Sequence, residues 1–367
     1  MRRDRLLRFL AIAFAVGAFL GLVSGLAFGG SPSDNGTPKA ATPAGGNDGT
    51  RSAGASGNTS STFSGPMTAS KAAAIGANEL GQIPVLRYVD ISEERGSDIR
   101  SPEDLVKDIE LLKSSGYQPI NLRDLASGNI DIPAGMSPVV LTFDDSTIGQ
   151  YNILDDGNLD PQSAVGILQA AVDAGNWAPK ATFYCLIDVT SKDNELFGQP
   201  ENRQEKLRNL VDWGYEVGSH TVSNLNLSKA SVTDVQRELQ SSQKTLQDLI
   251  GGEYQVNSLS VPAGEYPADI TVLARGVYDG KAYKYASAVT LGDTLCPSPF
   301  STLFNAFRIP RITVTGNTLK DAISDLKSHP ENRYISDGDP TTVSAPATLA
   351  AILGSVTDDL GRPLVRY

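Results

Sequence analysis

Leu141-Thr142-Phe143-Asp144-Asp145 closes an apolar run that opens at Pro138, and the fold follows from how this stretch is read. Residues 138–143 hold no charge and read as a strand, which stops at two adjacent carboxylates. Neighbouring side chains on a strand point to opposite sides, so the two aspartates need not share a role. One can bind a metal while the other takes a proton. Asp-Asp pairs also serve as turn or helix N-cap residues, so the pair alone does not decide between chemistry and capping.

Working outward, strand and helix signals alternate. Strands are expected at 84–91, 180–186, 215–220, 254–261, 284–290 and 308–314. Helices are expected from Ser101-Pro102, with Ser as N-cap and Pro at the first helical position, and from Asp160-Pro161. Further helices are expected over 201–214, 231–250 and 317–328. This alternation implies a parallel sheet, and the number of units implies a closed or nearly closed β/α barrel. Chemistry in such barrels sits where strands end. That directs attention to Asp144, Asp145, His220 and the Pro262-Ala263-Gly264 loop. Asn224 follows His220 by four residues and shares its side if a helical turn starts there.

Composition narrows the partners. The 367 residues carry Lys+Arg 31 against Asp+Glu 42, a formal charge of -11, which argues against nucleic acid as the main partner. The residues beyond 66 are more acidic still. Two cysteines exclude a disulfide scaffold, and two histidines are few for an imidazole-built metal site. Cys185 and Cys296 can pair if their Cα atoms lie within about 7 Å, or Cys185 can be a small core residue.

At the N-terminus, arginines in residues 1–8 precede an uncharged apolar run over 9–28. That run is long enough to span a bilayer core of roughly 30 Å. It is expected to be a signal anchor, with a cleaved signal peptide as the alternative, and either would place the rest outside the cytoplasm, membrane-anchored or secreted. Residues 29–78 read as a flexible linker rich in Gly, Ser, Thr and Pro. A domain over 79–340 follows, with a C-terminal extension over 341–367 expected to pack on it.

Several pieces in order carry a family resemblance. They are Leu-Thr-Phe-Asp-Asp at 141–145, Lys-Ala-Thr-Phe-Tyr at 180–184, Gly-Tyr-Glu-Val-Gly-Ser-His-Thr-Val-Ser-Asn at 214–224 and Ser-Val-Pro-Ala-Gly at 260–264. The chain resembles the polysaccharide deacetylases, the NodB-homology domains of carbohydrate esterase family 4. The resemblance implies a distorted (β/α) barrel, many of whose members are secreted or membrane-tethered. It implies that Asp144 is the catalytic base and that Asp145, His220 and position 224 are ligands of a divalent metal, Zn²⁺ or another. It further implies an oxyanion donor in the backbone of Ala263, with Pro262 and Gly264 beside the substrate. The substrate implied is an N-acetylated polysaccharide such as peptidoglycan or a surface glycan.

The chain departs from the family pattern in four places. Asn224 stands where the second imidazole belongs, which predicts weak metal binding because zinc favours N and S donors. Ser260 replaces the arginine that steadies the base, and Arg308 or Arg311 is placed to substitute for it. Val89 replaces an early histidine, and no late Leu-x-His supplies an acid for the leaving amine. His329, before Pro330, is better placed to meet a helix C-terminus. Two rivals to a deacetylase follow. One is a glycan-binding module without turnover. The other is a glycosidase pairing Asp145 with Glu216, for which Glu216 lies at the wrong end of its strand.

Overall fold

The computed structural model describes residues 65–94, 96–187 and 196–367, all within the unit Asn58–Tyr367. The expected basic segment 1–8, the anchor 9–28 and residues 29–64 of the expected linker lie outside the described residues. Among the described residues no helix is long and apolar enough to cross a membrane.

Among the described residues eight parallel strands form one sheet: β1 (Val85–Tyr88), β2 (Tyr117–Ile120), β3 (Ser137–Phe143), β4 (Thr182–Cys185), β5 (Glu216–Ser219), β6 (Ser258–Ser260), β7 (Ser287–Val289) and β8 (Ile312–Thr313). Their order is β7-β6-β5-β4-β3-β1-β8, with β2 beside the first half of β3. Every residue of β3 is buried, as expected of a central strand in a parallel sheet. Register sets Tyr88 opposite Phe143, Phe143 opposite Phe183, and Cys185 opposite Ser219. The residues that follow these strands therefore emerge at one rim. Beneath it Tyr88, Phe143 and Phe183 stack at 5.2 and 4.8 Å between ring centroids, a rigid apolar floor.

The sheet is a half-barrel, which falls short of full closure within the closed or nearly closed barrel that strand counting suggested. Its edge strands β7 and β8 share no ladder, and the seam is spanned by a single parallel bridge between Val289 and Ile309. The intervening chain contains Pro297, Pro299 and Pro310, which cannot donate to a ladder.

Helices α1 (Pro102–Ser114), α2 (Ala164–Asp173), α3 (Arg203–Asp212), α4 (Val232–Ile250) and α5 (Thr318–Ser328) connect or flank the strands. Ser101 caps α1 as expected, its Oγ accepting the Asp104 N–H at 3.1 Å. The second helix is capped by Ser163 and not by Asp160. Asp160 instead makes the preceding turn, where its carbonyl accepts the Ser163 N–H at 3.1 Å.

A further helix, Ala69–Ile75, lies inside the stretch expected as linker, so the ordered body begins before residue 79. Thr68 caps it and Gly76 ends it at φ 73, a left-handed position that suits glycine. The C-terminal extension packs near this helix. Val343–Ala345 pairs with Leu364–Arg366, and the Tyr367 hydroxyl donates to the Ala77 carbonyl at 2.9 Å.

Glu79 lies buried at this junction. It accepts the Ser344 N–H at 2.8 Å and the Tyr334 hydroxyl at 3.2 Å. Burial, reinforced by nearby Asp337, pushes its carboxyl up to about 8.

Candidate active site

The rim is built from strained backbone. Of the ten non-glycine residues with positive φ among the described residues, five follow β3, β5 or β6: Asp145 (73°), Ser146 (50°), Thr221 (69°), Asn224 (54°) and Ala263 (53°). Such conformations cost of order 1–3 kcal/mol each and persist where the surroundings impose them. Here the surroundings are identifiable. The Ser146 carbonyl accepts the Phe197 N–H at 2.7 Å, and its hydroxyl accepts the Leu186 N–H at 3.2 Å. Buried Glu238, on α4, accepts the Val222 and Ser223 N–H groups at 2.9 and 2.8 Å and the Ser223 hydroxyl at 3.0 Å. One helix carboxylate thus fixes the turn between His220 and Asn224.

Asp144 is 1% exposed and fully engaged by cations. Arg311, itself 1% exposed, donates from Nη1 to Oδ1 at 2.7 Å and from Nη2 to Oδ2 at 2.8 Å. Arg87 adds a bond from Nε to Oδ2 at 2.9 Å. Burial alone would raise the carboxyl, but Arg311, His220 and Arg87 outweigh it and hold Asp144 well below the usual carboxylate range. Arg311 also donates from Nη2 to the Ser260 hydroxyl at 3.0 Å. The guanidinium expected at position 260 is thus supplied from just before β8. Of the two arginines flanking Ile309-Pro310, Arg308 turns away and sits over the Tyr266 ring at 4.5 Å.

Asp145 leaves the strand on the other side and meets His220. The imidazole Nδ1 faces the Ser260 carbonyl at 3.0 Å and carries a proton, so Nε2 is the nitrogen with a lone pair to give whenever the ring is neutral. That Nε2 lies 3.2 Å from Asp145 Oδ1. Asp145 Oδ1 is buried and has no hydrogen-bond partner among the described residues, because the alignment with the ring is poor. Two lone-pair donors side by side, one orphaned, form a pair to which a divalent cation fits. Asn224 lines the same cavity and is the remaining donor. Among the described residues no group of three His, Cys, Asp or Glu side chains is placed to hold one metal ion. Burial would lower His220, yet Asp145, Asp144 and the Ser260 carbonyl raise it.

These groups line one cavity of about 280 Å³, with Val261, Ala263 and Leu291 completing its wall. Ala263 sits in the short 3₁₀ turn Pro262–Gly264 after β6, and none of the turn's backbone hydrogen bonds uses its N–H. Pro262 is buried and Gly264 packs against Thr290 and Leu291, so both shape the turn without lining the cavity.

Other candidates lie elsewhere. Glu216 is buried at the amino end of β5, accepting the Arg123 N–H at 2.8 Å and the Ser258 hydroxyl at 2.6 Å, and it does not share a cleft with Asp145. His329 caps α5 on the surface, 3.2 Å from Asp325. Cys185 and Cys296 are free, buried thiols that burial pushes upward. Trp177 is buried and Trp213 packs on Tyr151, so neither is a platform at the cavity. Sequence reasoning missed Arg87, Glu238 and Gln150. Gln150 is fully buried and donates to the carbonyls of Val89 and Asp144, tying two strand ends together.

Residues 132–277 match the family model for polysaccharide deacetylase. No curated protein matches the sequence. Among solved structures, BC0361, a polysaccharide deacetylase from Bacillus cereus, is 21% identical, with a TM-score of 0.50 over 66% of this chain and 69% of that one. The Streptococcus pyogenes deacetylase PplD, solved in complex with acetate, is 20% identical, with a TM-score of 0.49 over 66% of this chain and 98% of that one. At such identities the likeness concerns the fold alone.

Proposed function

We propose that this polysaccharide deacetylase domain hydrolyses N-acetyl groups on a cell-wall or surface glycan outside the cytoplasm, with help from a divalent metal. The observation that carries the reading is the convergence on one cavity of an ionised, immobilised Asp144 and the orphaned Asp145–His220 donor pair. The extracytoplasmic placement rests on the apolar run 9–28. Asp145 and His220, with Asn224 as a weak third donor, would hold the cation, which when bound acts as a Lewis acid toward the acetyl carbonyl.

The chain's own residues do the rest. Asp144 Oδ1 accepts one charge-assisted bond while Oδ2 accepts two, so Oδ1 has the spare lone pair for a proton from water. The hydroxide adds to the acetyl carbon, and the oxyanion that forms meets the Ala263 N–H. Breaking the C–N bond releases acetate and needs a proton on the departing amine. Among the described residues no carboxylic acid besides Asp144 and Asp145 lines the cavity, and the proton held at Asp144 returns to that nitrogen.

The test is acetate release from N-acetylated glycan, paired with the metal content of the purified protein. Asp144→Asn should abolish release, and unchanged release would remove the proposed base. A second reading, glycan binding without turnover, is favoured by Asn224 at the third ligand position. It predicts binding with neither acetate release nor bound metal, even after Asn224→His.

A further inference from the structure

We infer that Arg87 selects a saccharide bearing a carboxylate near the N-acetyl group, an inference that rests on the deacetylase reading above. A guanidinium has five N–H donors, and Arg87 commits few of them. Its Nε donates to Asp144 at 2.9 Å, and its Nη1 donates to Asp98 at 3.0 Å. The Asp98 side chain is 51% exposed, so water screens that pair. Nη2 makes no hydrogen bond among the described residues, and the side chain, 16% exposed, lines the cavity.

Arg311 alone satisfies Asp144 in bidentate fashion, which makes Arg87 a surplus cation at the mouth. Arg87 and Arg311 balance Asp144 and Asp145 among the lining residues. A divalent cation on Asp145 and His220 would then leave the cavity positive. The planar Nη1–Nη2 edge matches the two oxygens of a carboxylate, the geometry in which arginine gains most. A neutral sugar covering that edge would strip its water without replacing the bonds. Because the chain as a whole carries -11, its long-range field repels acidic glycans, so any preference must arise at the contact.

The experiment compares two probes with the full chain: chitotetraose, which is neutral, and a hyaluronan tetrasaccharide, in which glucuronate alternates with N-acetylglucosamine. Binding is followed by calorimetry, and acetate release is measured on the same samples. The hyaluronan probe should bind about tenfold tighter, the worth of one charge-assisted pair. Arg87→Gln should bring the hyaluronan-to-chitotetraose affinity ratio near unity, whereas a purely structural role for Arg87 would weaken both probes alike and leave the ratio intact. Should that variant fail to fold, the wild-type ratio serves: it should narrow at high salt. Equal affinities with acetate released from both probes would overturn the selectivity and leave the deacetylase reading intact. Binding of neither probe would overturn both.

Discussion

Replacing Arg311 by methionine tests the bracing of Asp144 most directly. The substitution keeps most of the apolar stem but removes both N–H bonds, at 2.7 and 2.8 Å, from a carboxylate that is 1% exposed. Arg87 would remain, bonded to one oxygen. Breaking a buried pair from one side costs about 3–5 kcal/mol. With a denaturant slope of about 3 kcal/mol per molar urea, the unfolding midpoint should fall by about 1–1.7 M.

The pH dependence gives a second handle. The folded Asp144 carboxyl lies below its ordinary 3.8, so its contribution is present above that pH and is lost as the pH falls through the lower folded value. The gap between wild type and Arg311→Met should therefore narrow in acid. Removing the charge as well, in Arg311→Met with Asp144→Leu, should recover most of the loss, giving a coupling of about 2–3 kcal/mol in a double-mutant cycle. A loss under about 1 kcal/mol, or strict additivity of the two changes, would refute the bracing.

Three further outcomes are expected. Asn224→His should tighten metal binding at least about tenfold, read by competition with a chromophoric chelator, since an imidazole replaces a weak amide oxygen. Glu238→Ala should cost about 2–3 kcal/mol in urea unfolding, because the Val222 and Ser223 N–H groups lose their acceptor. The same change should weaken metal binding by releasing the His220–Asn224 turn, whereas Glu238→Gln should retain about half of the stability. Glu79 has a raised folded pKa, so its proton favours the folded state, and stability is lost as pH rises from about 4.5 to about 8. Glu79→Gln should flatten that decline, whose ceiling is about 5 kcal/mol, in thermal melts across the interval.

Strand-end logic found Asp144, Asp145, His220 and Ala263 because a parallel sheet with aligned register delivers strand ends to one rim, and that register is a regular property of the backbone. The partners that tune those groups were harder to read. Arg87, Asp144 and Arg311 meet across separations of 57 and 167 residues, and no local pattern encodes that meeting. Only the missing arginine at 260 hinted that another must exist. Glu238 looked like an ordinary polar position on an amphipathic helix. Two elements escaped for different reasons. Pro119 hid β2, which tolerates it because β2 pairs with β3 alone. The Arg275–Tyr278 and Lys281–Lys284 hairpin was announced by Asp279-Gly280, whose φ values of 48° and 70° suit a two-residue turn, but the signal was not used.

The seam where β7 and β8 fail to pair carries a consequence for how the protein can be cut. Arg311 lies on the strip of chain that spans that seam, and Arg87 lies on the first strand of the sheet. Both fall outside residues 132–277, the portion that matches the deacetylase family. A fragment trimmed to that portion would keep both aspartates and the imidazole yet strip from Asp144 both of its arginine partners. Spanning that seam and bracing Asp144 are one event, contributed from the two ends of the domain.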